Sequence, residues 1–116
     1  MEMSKKTFMK NGLYIVSTPI GNLGDISARA IETLKNSDVI ICENPKHSLK
    51  LLLKLDIKKK LISLHDHNED FVIDEIKDGL DVKKYSLISD AGSPLISDPG
   101  YKLVRYCVKN KIHVVV

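Results

Sequence analysis

The sequence predicts one three-layer α/β domain built on a parallel sheet. Three observations point there. Short apolar runs alternate with segments of helical periodicity along the 116 residues. The runs are continuous rather than alternating in polarity, as in strands buried on both faces. Glycine, proline, aspartate and asparagine cluster where the runs give way to helices. A chain of this length buries one core.

Residues 1–11 read as a polar, disordered tail and residues 12–116 as the domain. Residues 13–18 form the first strand. A helix follows from near Asp25, with Asp25 or Ser27 as its cap, and Ile26, Ala30 and Leu34 share a face at i, i+4, i+8. Residues 39–42 are the second strand. Residues 45–54 are a helix with Leu49, Leu52 and Leu53 inward and Lys46, Lys50 and Lys54 along one exposed face. Residues 61–64 are the third strand. Asn68 caps a helix that turns Val72, Ile76 and Leu80 inward, and Gly79 suits its stop. Residues 85–89 are the fourth strand. Asp98 as cap and Pro99 at the first helical position open the last helix. Leu103, Val104, Cys107 and Val108 bury its face, Asn110 ends it in the left-handed region, and residues 112–116 are the fifth strand.

Apolar residues make up 43% and charged residues 28%, the balance of an ordinary globular domain. No run approaches the roughly 18 apolar residues of a membrane helix. The apolar stretch after Lys5, Lys6 and Lys10 is too short for a secretory signal, so a cytoplasmic protein is expected. Cys42 and Cys107 sit among apolar neighbours and read as reduced, buried thiols. The net charge of +3 is unevenly placed: residues 46–60 hold six lysines and one acid, residues 66–81 seven acids and one lysine. Such asymmetry suits a polyanion-binding face or two solvated helix faces.

In open α/β sheets ligands bind beyond the carboxyl ends of the strands. Four loops lie there. Thr18-Pro19-Ile20-Gly21-Asn22-Leu23-Gly24-Asp25 offers glycines and a helix start to an anion, but neither the glycine spacing of a dinucleotide site nor a P-loop lysine. Glu43-Asn44-Pro45-Lys46-His47-Ser48 can hold an acid–base pair or simply cap a helix. His65-Asp66-His67-Asn68-Glu69 has the spacing of a metal pair without a third ligand, so no metal is expected. Ser89-Asp90-Ala91-Gly92-Ser93-Pro94-Leu95-Ile96-Ser97-Asp98-Pro99-Gly100 puts a carboxylate at a strand end beside small residues, suited to a ligand held by side chain and backbone together.

Residues 13–25 (LYIVSTPIGNLGD), 65–69 (HDHNE) and 89–101 (SDAGSPLISDPGY) resemble the tetrapyrrole methylase superfamily. Within it they are most similar to the branch that methylates the 2′-hydroxyl of a cytidine in small-subunit ribosomal RNA. The resemblance implies a five-stranded sheet of order 3-2-4-1-5, two α/β domains, S-adenosylmethionine in the cleft between them, a homodimer and no metal. By position, Pro19, Asp90, Ala91, Gly92, Ser93, Pro94 and Leu95 fall to the cofactor. Gly21, Asn22, Asp25, Lys46, His47, His65, Asp66, His67, Asn68 and Glu69 fall to 16S ribosomal RNA. The family's Glu-Asp-Thr-Arg-His-Thr is Glu43-Asn44-Pro45-Lys46-His47-Ser48 here, which removes a guanidinium suited to bidentate phosphate contact. The family also continues past the fifth strand into a further cofactor loop and the second domain. The sequence is therefore expected to be an N-terminal half without turnover of its own.

A ribose hydroxyl needs a base to take its proton. Asp90, His65, His67 and Glu43 are the candidates on this half. Two other classes stay open: a non-catalytic nucleotide- or anion-binding or dimerisation module, and a methylase acting on tetrapyrroles.

Overall fold

The five apolar runs form one parallel sheet: β1 (Gly12–Thr18), β2 (Val39–Cys42), β3 (Lys60–Ser63), β4 (Lys84–Asp90) and β5 (Val114–Val115). The computed structural model describes residues 9–18, 23–65, 67–90 and 100–116, without the side chains of Leu23 and Asp90. Strand order is β3-β2-β4-β1-β5, as the resemblance implies. Four helices connect the strands: α1 (Ala28–Lys35), α2 (Pro45–Lys54), α3 (Glu69–Ile76) and α4 (Tyr101–Lys109). A short 3₁₀ turn, Leu23–Asp25, precedes α1.

Side chains alternate across the strands and feed two cores. Leu13, Ile15, Val39, Ile41, Tyr85 and Leu87 point to the face covered by Val72 and Ile76 of α3 and Leu103 and Cys107 of α4. Val16, Ile40, Cys42 and Ile88 point to the other face, under Leu34 of α1 and Leu52 of α2. Both faces are covered, which is why the runs are continuously apolar. Leu13, Leu34, Leu80 and Leu103 are fully buried, each contributing about 1.5–3 kcal/mol of apolar burial.

The two-sided arrangement follows from handedness. The chain moves from β1 to β2 toward one edge of the sheet, and from β3 to β4 back toward the other. Right-handed crossovers in opposite directions must use opposite faces. Asp38 fixes the entry of β4: its N–H donates to the Lys84 carbonyl at 2.7 Å, and its Oδ2 accepts from the Lys84 N–H at 2.8 Å. Nearby, the buried hydroxyls of Ser37 and Ser86 pair with each other.

Of the two caps expected for α1, Ser27 serves, with its hydroxyl 3.0 Å from the Ala30 N–H. Other local expectations are corrected. On α2 the buried stripe is Ser48, Leu51 and Leu52, while Leu49 and Leu53 are 47% and 58% exposed. Leucines surround much of that helix, so two stripes satisfied the same periodicity; the sheet below chose between them. Val108 is exposed on α4. Asn110 ends α4 at φ −98°, and the left-handed residue is Lys111, at φ 59°. Asn68 occupies the N-cap position of α3 without a side-chain bond to it. The expected Asp98 and Pro99 start of α4 lies outside the described residues.

Candidate functional site

Parallel strands put all their carboxyl ends on one rim, and the sheet order sets which loops meet there. Thr18 and Asp90 are register partners at the ends of β1 and β4. The chain after β1 goes to the face covered by α1, and the chain after β4 to the face covered by α4. Adjacent strands whose connections part to opposite faces open a crevice, the usual ligand position in an open α/β sheet. The strand ends that lead into the segments expected to hold the cofactor, Thr18 and Asp90, are therefore neighbours on the rim. Pro19 and residues 91–95 themselves, with the Asp90 side chain, lie outside the described residues, as do Gly21, Asn22 and Asp66.

The second pair of loops leaves from β2 and β3. Cys42 and Ser63 are register partners, and the Leu64 N–H donates to the Cys42 carbonyl at 2.8 Å. Glu43, Asn44, Lys46 and His47 are all exposed here. Asn44 caps α2 by accepting from the His47 N–H at 3.2 Å, and Pro45 occupies the first turn, where no N–H is needed. Ser48 is buried and its hydroxyl bonds the Cys42 thiol, tying the start of α2 to the end of β2. Burial raises the Cys42 thiol pKa, and the Ser48 bond partly offsets this.

In the third loop, His65 and His67 are exposed and meet edge to face, with ring centroids 6.2 Å apart. Asn68 holds the loop: its Oδ1 accepts from the His65 N–H at 2.7 Å and its Nδ2 donates to the Ser63 carbonyl at 2.9 Å. Glu69 departs from the expected outward role. It is 2% exposed, and its Oε2 accepts from the N–H groups of Gly100 and Leu103, each at 3.0 Å. Sequence reasoning missed this contact because it spans 31 and 34 positions. The only hint was an acid at the start of a helix whose exposed face already held others.

The candidate bases therefore divide. Glu43, His65 and His67 stand at the β2/β3 side, and Asp90 ends β4, two strand spacings or about 10 Å from β3. Asp25 is exposed in the turn before α1. Among the described residues, no group of three His, Cys, Asp or Glu is placed to hold a metal ion. None of their helices is long and apolar enough to cross a membrane.

Charge separates across the sheet. Lys46, Lys50, Lys54, Lys58, Lys59 and Lys60 are exposed on or beside α2. The ion pairs among the described residues, Lys77–Asp74 at 2.9 Å and Lys102–Asp70 at 3.7 Å, take none of them. The acids of α3 lie on the opposite face.

The family model for Tetrapyrrole (Corrin/Porphyrin) Methylases matches residues 12–116. The chain is 59% identical over 101 residues to the Ribosomal RNA small subunit methyltransferase I of Rickettsia prowazekii, covering 84% of this chain and 35% of that one. It is 51% identical over 107 residues to the protein of the same name from Buchnera aphidicola, covering 89% and 36%. The chain thus spans about a third of the length of these curated relatives. Among solved structures, the uroporphyrin III C-methyl transferase of Thermus thermophilus superposes with a TM-score of 0.65 at 14% identity, over 90% of this chain and 46% of that one. At that identity the likeness concerns the fold.

Proposed function

The chain belongs to the tetrapyrrole methylase family, and from that premise we propose that it is the N-terminal, cofactor-holding part of an S-adenosylmethionine-dependent methyltransferase acting on the 2′-hydroxyl of a cytidine in 16S ribosomal RNA. The observation that carries this reading is the 51–59% identity, over most of the chain, to relatives named for small-subunit ribosomal RNA methylation. The crevice between β1 and β4 supports the cofactor part, because it lies where the fold class binds ligands.

S-adenosylmethionine, when bound, supplies an activated methyl group; the protein's share is binding, alignment and proton handling. Pro19 and Asp90-Ala91-Gly92-Ser93-Pro94-Leu95 hold the cofactor at the β1/β4 side. Gly21, Asn22, Asp25, Lys46, His47 and the His65–Asn68 stretch face the RNA. Alignment of the hydroxyl supplies much of the acceleration. Glu43, His65, His67 or Asp90 takes the hydroxyl proton. The lysines beside α2, exposed and free of ion pairs among the described residues, suit phosphates, which set affinity and orientation rather than sequence preference. The active enzyme is a cytoplasmic homodimer, and residues 1–116 alone do not turn over.

The test is calorimetric titration of S-adenosylhomocysteine into the 116-residue chain and into a protein of the relatives' full length carrying these residues. Methyl transfer to small-subunit RNA is assayed alongside. Binding and transfer by the long protein alone support the reading. Absence of binding by both, or transfer to a tetrapyrrole and not to RNA, overturns it.

A further inference from the structure

The exposed stripe of α2 is neither apolar nor purely charged. Lys46, Leu49, Lys50, Leu53 and Lys54 fall at i, i+3, i+4, i+7 and i+8, which is one face of a helix. Ser48, Leu51 and Leu52 turn the other way and are buried. Leu49 and Leu53 stand one turn apart and remain 47% and 58% exposed. A single exposed leucine asks for no explanation. Two of them bracketed by lysines put apolar surface inside a segment, residues 46–60, that holds six lysines and one acid.

Phosphate contact accounts for the lysines alone, because a phosphate gains nothing from a leucine. RNA also carries apolar surface, on the faces of its bases. In a duplex those faces are stacked on one another, whereas unpaired nucleotides turn them outward. An unpaired RNA strand thus offers both things the stripe can meet: phosphates for Lys46, Lys50 and Lys54, and base faces for Leu49 and Leu53. The stripe also leads to the rim, since α2 begins where β2 ends, beside the end of β3. A second copy of the chain would bring its acidic α3, where Phe71 is exposed. There Asp74 and Asp70 already pair with Lys77 and Lys102, while the lysines of α2 have no ion pair among the described residues. The α2 lysines remain for an outside polyanion.

We propose that the α2 stripe is a docking surface for unpaired rather than duplex RNA, with bases against Leu49 and Leu53 and the backbone along Lys46, Lys50 and Lys54. This rests on the RNA reading above and adds the form of RNA that the face accepts. The leucine contact is tolerant of sequence, because every base presents a face. It adds affinity and a preference for unpaired nucleotides without reading base edges.

The test uses the protein at the relatives' full length and two probes, a short unstructured RNA strand and the duplex it forms with its complement. Binding is read by fluorescence anisotropy over a salt series. The variants are Leu49→Ala combined with Leu53→Ala, and Lys50→Gln. Alanine is the better helix former and both positions are exposed, so the leucine variant should keep the fold. It is expected to bind the single strand about tenfold more weakly, about 1.4 kcal/mol. It should bind the duplex as wild type does, with an unchanged salt slope, because neither leucine meets a phosphate. Lys50→Gln should weaken both probes and flatten the slope. Unchanged single-strand affinity in the leucine variant, or an equal loss for strand and duplex, overturns the proposal. So does a leucine variant that sediments as a monomer where wild type is a dimer, which would assign the stripe to a second copy. Failure of wild type to bind either probe is a separate result: it removes the RNA reading, and this inference with it, before any variant is compared.

Discussion

The carbonyl oxygen of His113 occupies the space in which a Cβ on Gly12 would stand, and Gly12 itself holds φ at 140°. The same carbonyl accepts the Leu13 N–H at 2.9 Å, so the close approach is part of how the β5 end docks on β1. Gly12→Ala meets both obstacles at once, a strained backbone and a backbone oxygen that cannot swing away. It should lower stability by about 2 kcal/mol or more. Urea unfolding checks this; a midpoint within error of wild type would contradict it.

Gly79 is constrained differently. A Cβ there would overlap the hydroxyl of Tyr85, while the next ring atom, Cζ, would stand at an ordinary 3.4 Å. Gly79→Ala should therefore cost about 1–3 kcal/mol through overpacking. In a Tyr85→Phe background the obstacle is gone, and the same change should be neutral or slightly stabilising, because alanine restricts the unfolded chain. A double-mutant cycle by urea denaturation reads the coupling. Equal costs in both backgrounds would show that the hydroxyl is not the cause.

The elements that were legible in sequence are those set by neighbours within one turn or one strand. The four-residue run Val39–Cys42, the Ser27 cap and the Val72–Ile76–Leu80 stripe all follow from local pattern. The misreadings have a common cause. Leu49 and Leu53 were as good a stripe as Leu51 and Leu52 until the sheet was beneath them. Asn68 looked like a cap, but Ser63 and His65 offered its amide better partners. The Glu69 contact crosses from one βα connection to the next, a distance that periodicity does not sense. At the rim the sequence identified polar loops, and strand order decided that the ends of β1 and β4 adjoin while His65 and His67 stand apart on the β3 side.

Burial pushes the Cys107 thiol up to about 11, from 9.0 in an unburied thiol. The folded chain thus keeps its proton to higher pH than the unfolded chain does. The stability this supplies is complete below pH 9.0 and is lost as pH rises toward about 11, at up to about 1.4 kcal/mol per pH unit. Urea midpoints at several values across that window should fall more steeply for wild type than for Cys107→Ala. Parallel slopes would refute the assignment. Both thiols, Cys42 and Cys107, should also resist alkylation in the folded protein and react once it is unfolded.

The lysine face yields a graded prediction. α2 follows β2, so its N-terminus lies at the rim and its axis runs away from it. Lys46 is nearest the candidate site, and Lys54, eight residues later, is about 12 Å further along the axis. All three lysines of the series are exposed and free of ion pairs among the described residues. If RNA enters at the rim and lies along this face, neutralising Lys46 should weaken binding most and Lys54 least. Removing the charge that meets one phosphate should reduce the slope of log affinity against log salt by about 0.7–0.9. Filter binding of small-subunit RNA to glutamine variants of the full-length protein, over a salt series, measures both quantities. S-adenosylhomocysteine affinity should not move, since the face lies beside β2 and β3 and the cofactor crevice beside β1 and β4. Equal effects at the three positions would mean diffuse attraction rather than a docked strand, and no effect at any would return the lysines to an ordinary solvated helix face.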